Sequence, residues 1–177
     1  CKACKSECPT GVDMARMKSE YLFQFHRNNP RPRHDYRFAG IRRTLERASN
    51  WPRLFNAVSG TRLGRWFAGI AAERRPPRVA HRSLLSECRS RELANPLTAD
   101  VVFFPDTFST YCEPDHVLAA IRVAESLGLS AGIASPVCCG RPLISRGFLD
   151  EARRQAESLV EALSPLARAN RPIVFLE

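Results

Sequence analysis

The sequence predicts a mixed α and α/β fold in which helices precede a parallel sheet built in βαβαβ order. Apolar residues recur at helical spacing after residue 13, prolines and glycines cut residues 31–95 into short segments, and apolar runs alternate with helical patterns from residue 99 onward. We therefore divide the chain into three parts. Residues 1–28 hold a cysteine motif with its exit helix, residues 29–95 form an Arg-rich helical connector, and residues 96–177 form an α/β domain.

The first part opens on Cys1, Cys4 and Cys8, with Pro9 directly after the third cysteine. The spacing C-x2-C-x3-C-P matches the last three of the four cysteines in the bacterial ferredoxin run C-x2-C-x2-C-x3-C-P, whose thiolates hold a 4Fe–4S cluster. The first cysteine of that run would lie three residues upstream of Cys1, so we expect the chain to be a fragment. Residues 1–28 are then the carboxyl-terminal remnant of a ferredoxin-like cluster domain.

These three cysteines are the predicted metal ligands. In two-cluster ferredoxins the fourth cysteine of a run ligates the other cluster, so Cys1 and Cys4 would serve one cluster and Cys8 a second. Zinc is the competing metal, because C-x2-C also begins many zinc sites. Pro9 and the three-residue spacer before Cys8 favour the iron–sulfur cluster.

Composition favours a soluble part of a larger protein. The chain is 44% hydrophobic, which is enough for a core, and it has no run of about 18 apolar residues that could span a membrane. Seven cysteines, an odd number, fit metal binding in a reducing compartment better than a disulfide framework. We therefore expect a cytoplasmic location.

Charge is divided unevenly along the chain. Residues 1–95 contain 20 Lys and Arg against 8 Asp and Glu, whereas residues 96–177 contain 7 against 10. A basic part of this kind can face nucleic acid, a membrane or an acidic protein. Arg outnumbers Lys 24 to 3, which indicates codon bias more than phosphate binding, so nucleic acid is not expected and the two other anionic partners stay open. The aromatic residues of the basic part recur at helical spacing and are predicted to lie in the core: Tyr21, Phe25, Tyr36, Phe38, Trp51, Phe55, Trp66 and Phe67.

Asp13 is the predicted N-cap of the exit helix, which ends near Asn28. One apolar stripe of this helix is predicted to be its packing face: Met14, Met17, Tyr21, Leu22 and Phe25. Residues 31–95 are predicted to form short helices that carry no catalytic constellation, and Cys88 is predicted to be no ligand.

In the third part, residues 101–104 form a continuous apolar run, as is typical of a strand buried on both faces of a parallel sheet. A helix is predicted from Pro114 to Gly128, a weaker strand over residues 131–134, and a third buried strand over residues 172–176. A further helix, from Phe148 to about Leu163, is predicted to face inward with Phe148, Leu149, Ala152, Ala156, Leu159, Val160 and Leu163.

Functional groups in such sheets lie beyond the carboxyl ends of the strands. That rule marks Asp106 and Thr107 after the first strand and the cysteine pair after the second. Cys138 and Cys139 are therefore the predicted cofactor-binding residues. The glycine after them allows close backbone approach, and Arg141 could lower thiol pKa values or bind an anion. The alternative is that both free thiols pack as small hydrophobic side chains.

Three segments carry a family resemblance: CKACKSECPTGVDMARMKSEYLFQ, FPDTFSTYCEPDHVLAAIRVAESLG and CCGRPLISRGFLDEARR. They resemble the carboxyl-terminal half of the FAD-linked, iron–sulfur D-2-hydroxy-acid dehydrogenases, a group with glycolate oxidase iron–sulfur components and D-lactate and D-2-hydroxyglutarate dehydrogenases. The resemblance covers the two ends of the chain well and the Arg-rich middle loosely. It implies that residues 96–177 are a truncated cysteine-rich CCG domain.

The resemblance also implies an FAD domain in the same polypeptide and two 4Fe–4S motifs. Substrate oxidation would take place at the flavin, and electrons would pass through the clusters to an acceptor, a quinone or a redox protein. No catalytic acid or base is therefore assigned in this chain. Peripheral contact with the inner membrane is a further expectation.

The sequence departs from the family at one position and leaves two other functions open. Thr107 stands where the family has a further cysteine, and Cys112, five residues later, is predicted not to replace it. The first alternative is a separate iron–sulfur/CCG subunit, like those of heterodisulfide reductases or anaerobic glycerol-3-phosphate dehydrogenase, which docks on a flavoprotein. The second is a basic module that binds zinc and nucleic acid.

Overall fold

The computed structural model describes residues 3–71, 73–91 and 93–176, with side chains described from residue 5 onward. The chain begins with the helices α1 (Ala3–Ser6), α2 (Met14–Asn28), α3 (Arg33–Ala39), α4 (Ile41–Ala48), α5 (Pro52–Gly60), α6 (Arg62–Ala68) and α7 (Leu84–Arg89). It continues with β1 (Val101–Phe104), α8 (Thr107–Tyr111), α9 (Pro114–Ser126), β2 (Ala131–Ile133), α10 (Arg141–Ser145), α11 (Leu149–Arg168) and β3 (Ile173–Phe175). Across the described ranges, no helix is long and apolar enough to cross a bilayer.

The strands form a parallel sheet of order β2-β1-β3, with β1 at its centre. Val102 of β1 pairs with Gly132 of β2 on one side and with Ile173 of β3 on the other. Helices α8 and α9 connect β1 to β2, and α10 and α11 connect β2 to β3, because parallel strands of one sheet need crossover connections. The predicted combination of helices with a βαβαβ parallel sheet is confirmed.

Both faces of β1 are covered, which explains its continuous apolar sequence. Phe103 packs with Leu118 and Ile121 of α9 on one face. Val102 and Phe104 pack with Leu166 of α11 on the other face. Full burial of such side chains contributes about 1.5–3 kcal/mol each. A strand with a single covered face would instead alternate apolar and polar residues.

Two details predicted for the α/β part are wrong. Residues 172–176 are predicted as a buried strand, but β3 lies at an edge of the sheet and Phe175 is 56% exposed. The predicted inward stripe of α11 is too wide, since Ala156 and Val160 face solvent. A narrow sheet can cover only a narrow stripe of this helix, which also extends beyond its predicted end to Arg168.

The exit helix forms as predicted, but its apolar stripe points away from the packed side. The Asp13 carboxylate accepts a hydrogen bond from a backbone N–H of the first turn at 3.0 Å, and α2 ends at Asn28. The side of α2 that lies against α10 and α11 holds the buried Ser19, with Leu22 half-buried. The exposed members of the predicted stripe are Met14, Met17, Tyr21 and Phe25.

The connector is helical, as predicted, and it has a small core. Leu45 and Ala48 of α4 pack with Val79 and with Tyr111 of α8. The Asn56 side chain fixes this arrangement, because its amide donates to the Val79 carbonyl at 2.8 Å and its Oδ1 accepts from the Val79 N–H at 2.9 Å. The prediction that the aromatic residues form the core of the basic part is wrong for Tyr21, Phe25, Tyr36, Phe38, Trp51, Trp66 and Phe67, which are exposed.

Arginine side chains join the amino-terminal helices to the α/β part. The Arg31 guanidinium donates to the carbonyls of Arg146 at 2.6 Å and Gly147 at 2.7 Å, and it lies 4.0 Å above the centre of the Phe148 ring. In the opposite direction, Arg146 forms a 3.1 Å ion pair with the buried Asp35 of α3. These reciprocal contacts fix α2 and α3 against the end of α10, while the domain boundaries at residues 28 and 95 stay predictions.

Gly147 is required where the end of α10 meets α2. A Cβ at this position would lie 2.7 Å from Leu22 Cβ and 2.7 Å from the Phe23 backbone nitrogen, and φ of Gly147 is +68°. We expect Gly147→Ala to combine left-handed strain of about 1–2 kcal/mol with an overlap that overpacks the interface, which costs about 1–3 kcal/mol more. Urea denaturation measures the loss in the free energy of unfolding.

Gly128→Ala is the matched control for this prediction. Gly128 has a similar φ of +76°, but a Cβ there would meet no heavy atom within 4 Å. The control should therefore lose the strain component alone. Equal losses in the two variants would contradict the close contact between α2 and the end of α10.

Candidate functional site

The carboxyl ends of the strands surround a small cleft. Its volume is about 30 Å³. The cleft is lined by Phe104, Asp106 and Ser109 after β1, Cys139 after β2, and Phe175 and Leu176 at the end of β3. The parallel topology thus brings together two of the groups that the sequence marks at separate strand ends.

Asp106 shapes the loop after β1. Its carboxylate accepts hydrogen bonds from the Ser109 backbone N–H at 2.6 Å and from the Ser109 hydroxyl at 2.5 Å. Its backbone carbonyl accepts from the Thr110 hydroxyl at 2.5 Å. These bonds cap α8, so one carboxylate oxygen of Asp106 is used to fold the loop.

Cys138 and Cys139 lie between β2 and α10. Cys138 is only 7% exposed, whereas Cys139 reaches the surface, and both are free thiols. Gly140 caps α10 with φ of +75°, a left-handed conformation that favours glycine. The turn gives two consecutive thiols different surroundings, one inside the protein and one in contact with solvent.

The pKa values of the two thiols shift in opposite directions. A hydrogen bond donated by the Cys139 thiol lowers the pKa of Cys138 and raises the pKa of Cys139. Burial opposes the first shift and adds to the second. The Gly140 backbone N–H, the Thr107 hydroxyl and the Arg42 guanidinium also lower the pKa of Cys138. Cys138 therefore ionises first, and a thiolate is the form that binds metals and attacks electrophiles.

The Thr107 hydroxyl is suited to an ionised Cys138. Its Oγ1 is buried and has no hydrogen-bond partner within the part of the chain that the structure describes. Leaving a buried hydroxyl unpaired costs about 1–3 kcal/mol. A thiolate at Cys138 supplies the missing acceptor, in line with the lowering of the Cys138 pKa by this hydroxyl.

Arg42 is a residue of the site that sequence reasoning missed. It lies on α4 in the connector, and its guanidinium donates to the Pro136 carbonyl at 2.7 Å, which supports the loop before the cysteine pair. Arg141, which the sequence predicts could lower thiol pKa values, does act to lower the pKa of Cys139, where the Cys138 contact and burial outweigh it. No local signal distinguishes Arg42 among the 24 arginines of the sequence.

Cys112 and Cys88 have apolar surroundings. Cys112 packs against the core around Leu45 and Tyr111, and burial raises the pKa of its thiol to about 11. Cys88 packs against the core that contains Leu84, and burial raises its pKa as well. Both thiols thus pack as small hydrophobic side chains.

Cys8 is the cysteine of the amino-terminal motif whose side chain is described. Its Sγ lies 3.1 Å from the Thr10 hydroxyl, and this contact, followed by the backbone N–H groups of residues 10–12, lowers the pKa of the thiol. Converging N–H and O–H donors suit a cluster ligand, because they stabilise the thiolate and tune the potential of a cluster. Cys1 and the side chain of Cys4 lie outside the described residues.

The predicted ligand sets are not tested by this geometry. Within residues 3–71, 73–91 and 93–176, no three His, Cys, Asp or Glu side chains converge as a metal site. The assignment of Cys1, Cys4 and Cys8 to a metal, and of Cys138 and Cys139 to a cofactor, stays a prediction. What the geometry adds is that Cys8 and Cys138 are surrounded by donors that favour their thiolate forms.

The surroundings of Cys138 predict a thiolate at unusually low pH. Protein treated with a chelator is titrated with base while the ultraviolet absorbance of its thiolates is recorded. Subtracting the curve of Cys138→Ser isolates the contribution of the Cys138 thiol. The difference should contain a step below the ordinary thiol pKa of about 8.5, because hydrogen bonds favour the charged form. Thr107→Val should move that step to higher pH.

Cys112→Ser is the control for the titration. Since the pKa of the Cys112 thiol is raised to about 11, its removal should leave the low-pH step unchanged. If the parent protein and Cys138→Ser give the same titration curve below the ordinary thiol pKa, the assignment of a low-pKa thiolate to Cys138 is wrong.

The chain is similar to dehydrogenases of known name. It is 26% identical over 193 residues to the D-2-hydroxyglutarate dehydrogenase of Pseudomonas putida and 24% identical over 190 residues to that of Escherichia coli. Each match covers 100% of this chain and 19% of the relative. One of the subunits of the anaerobic glycerol-3-phosphate dehydrogenase of Escherichia coli is 39% identical over 64 residues, which are 36% of this chain and 16% of that protein.

No family model matches the chain, and no solved structure matches it. The chain spans about a fifth of the length of the D-2-hydroxyglutarate dehydrogenases that it matches. The resemblance predicted from the cysteine motifs is confirmed: this chain is a homologue of D-2-hydroxyglutarate dehydrogenases and matches one segment of an oxidoreductase.

Proposed function

We propose that the chain is the electron-transfer part of a flavin-linked iron–sulfur oxidoreductase that oxidises a D-2-hydroxy acid of the lactate, glycolate or 2-hydroxyglutarate class. FAD is bound by a further domain of the same polypeptide. Bound 4Fe–4S clusters supply one-electron transfer between that flavin and an acceptor, which is a quinone or a redox protein. The homology to D-2-hydroxyglutarate dehydrogenases over the whole chain supports the substrate class.

The observation that carries the proposal is the environment of Cys8. The thiol belongs to the third cysteine of the C-x2-C-x3-C-P run, and a hydroxyl and backbone N–H groups of residues 10–12 favour its ionised form. Gly11, with φ of +67°, donates its N–H to the Cys8 carbonyl at 3.0 Å and closes the turn. This turn places the sulfur before α2 among donors that favour its thiolate, the form that a cluster ligand requires.

The cysteine pair has a second role in the proposal, at the acceptor side. Cys139 is exposed at the cleft, whereas Cys138 is buried and held as the thiol that ionises first. Arg42 keeps a positive charge near the buried thiol and supports the loop before it. These groups bind a cofactor or shape the surface that receives the acceptor.

A separate iron–sulfur protein that docks on a flavoprotein is the second candidate function. It is favoured by the 39% identity to the anaerobic glycerol-3-phosphate dehydrogenase component, which is higher than the identity to the longer relatives but extends over only 64 residues. The coding sequence upstream of Cys1 distinguishes the two candidates. A flavin-binding domain in the same reading frame supports the fused enzyme, and a short amino terminus supports the separate protein.

The proposed location is the cytoplasm, with peripheral contact at the inner membrane. The basic charge of residues 1–95, 20 cationic against 8 anionic residues, supports attraction to an anionic surface. A quinone acceptor would require such contact, because quinones reside in the bilayer.

Substitution of Cys8 tests the relay. In the full-length protein, Cys8→Ser should lower the iron content from roughly eight toward four per chain and stop electron transfer to the acceptor. Flavin reduction by substrate should continue, since it precedes the clusters. Iron analysis and stopped-flow flavin absorbance measure the two effects.

Cys88→Ser is the control for the relay and should keep both the iron and the turnover, because Cys88 only packs against a core. Loss of flavin reduction in Cys8→Ser, with Cys88→Ser unaffected, would contradict the relay.

Substitution of Cys139 tests the acceptor side. We expect Cys139→Ala to slow acceptor turnover by about 10–100-fold, the range typical of residues that support a redox or metal site. The fold should change little, because the Cys139 side chain is exposed. Acceptor turnover and thermal unfolding are measured on the same samples.

Cys112→Ala is the matched control for the acceptor side, since its thiol packs against the connector core and not at the cleft. It should retain most of the turnover. If Cys139→Ala instead unfolds the protein at unchanged specific activity, the cysteine pair is structural.

A further inference from the structure

Helices α5 and α6 form a hairpin with exposed apolar side chains. Trp51 and Trp66 are 69% and 72% exposed. We define the hairpin surface as Trp51, Leu54, Val58, Leu63, Trp66 and Phe67, all of which are more than half exposed in the part of the chain that the structure describes. A cluster of large exposed apolar side chains on one short element indicates a docking surface.

The sequence around this surface is rich in arginine and poor in acidic residues. From residue 47 to residue 72 the sequence contains no acidic residue. Four arginines lie in this range: Arg47, Arg53, Arg62 and Arg65. After Glu73, four more precede the next acidic residue: Arg74, Arg75, Arg78 and Arg82. The hairpin therefore lies in a stretch of sequence with eight arginines and one carboxylate, although Arg82 forms a 3.7 Å ion pair with Glu87.

Apolar and cationic groups meet in an open groove at the start of α5. The groove has a volume of about 470 Å³ and is lined by Trp51, Pro52, Arg53, Leu54, His81 and Arg82. Long arginine side chains can follow an apolar surface with their methylene groups while the guanidinium remains at a polar boundary. The groove thus presents the mixture of groups that suits an interface between apolar and charged layers.

The hairpin holds these side chains outward. A Cβ at Gly64 would lie 2.1 Å from the Val58 carbonyl oxygen, so the backbones of α5 and α6 approach too closely for large side chains between them. The Thr61 hydroxyl caps α6 by accepting from the Gly64 N–H at 3.0 Å. Asn56 anchors the hairpin to Val79. The surface is therefore preformed on a fixed element.

We infer that the hairpin surface docks the protein on an anionic lipid bilayer. The inference deepens the peripheral membrane contact of the proposed function and rests on it. Tryptophan and phenylalanine partition into the headgroup region of a bilayer, aliphatic side chains enter the acyl boundary, and arginines attract anionic headgroups. Each of these three kinds of group is present on or beside the hairpin, and no membrane-spanning helix is needed.

Other anionic partners fit this surface less well. Nucleic acid offers phosphates and base faces for the arginines and aromatic rings, but no counterpart for Leu54, Val58 and Leu63. An acidic protein surface offers hydrated carboxylates, which leave the same aliphatic side chains uncovered. A bilayer accommodates the aliphatic, aromatic and cationic side chains in one contact.

Vesicle co-sedimentation tests the inference. Full-length protein is mixed with vesicles of phosphatidylcholine alone and with vesicles of equimolar phosphatidylglycerol and phosphatidylcholine. We expect binding to the anionic vesicles, weakened by salt, with the partition constant lowered about fivefold for each of Arg53→Gln and Arg62→Gln. Trp51→Ser with Trp66→Ser should lower it further without unfolding the protein, because both side chains are exposed.

Matched controls remove the same charge and similar apolar groups elsewhere. Two double variants change exposed residues of the α/β part and should leave vesicle binding unchanged. The charge control is Arg122→Gln with Arg168→Gln, and the apolar control is Leu127→Ser with Val160→Ser. Turnover with a soluble dye as acceptor should be the same in all variants, so a failure of docking is distinguishable from a failure of the proposed function. The inference would be overturned by an equal loss of vesicle binding in hairpin and control variants, or by the absence of vesicle binding. Binding to duplex DNA or to an acidic protein through the same hairpin residues would also overturn it.

Discussion

Hydrogen bonds from arginine side chains to backbone carbonyls hold the two halves of this chain together. Arg42 binds the carbonyl of residue 136, before the cysteine pair, and Arg31 binds those of residues 146 and 147, after it. A guanidinium offers several donors in a fixed plane and stays charged at any pH of interest. Each such bond contributes about 1.5–3 kcal/mol. The amino-terminal helices therefore support the loop of Cys138 and Cys139 from both sides.

This support determines the chemistry of the cleft. The donors that favour a thiolate at Cys138 come from separate elements: the neighbouring Cys139, the start of α8 with Thr107, and α4 with Arg42. The hydrogen bond from Cys139 is the largest of these contributions, and Gly140, Thr107 and Arg42 add smaller ones against the burial that raises the pKa of Cys138. A change in the position of the connector would remove the contribution of Arg42 to the ionisation of Cys138.

The same connector explains why so much aromatic surface stays exposed. Its helices are short and are held by polar contacts such as that of Asn56 with Val79. Burial of a few residues around Leu45 is enough to order α4, so the aromatic side chains of α5 and α6 are left at the surface. Exposed aromatic rings beside arginines can contact other domains or a membrane, and the excess of arginines around the hairpin is the basis of the membrane inference.

The sequence alone determined the helical and α/β character of the two halves, the order of strands and helices, the N-cap at Asp13, and the family resemblance. These features depend on local periodicity and on motifs with fixed spacing. The tertiary structure decided which apolar stripes are covered: Met17 and Tyr21 face outward, and Phe175 lies at a sheet edge, because coverage depends on the neighbours of an element. It also decided that the Arg42 guanidinium acts on Cys138, whereas Arg141 acts on Cys139. Only folding places the Arg42 guanidinium near the Cys138 thiol, because the two residues are far apart in the chain.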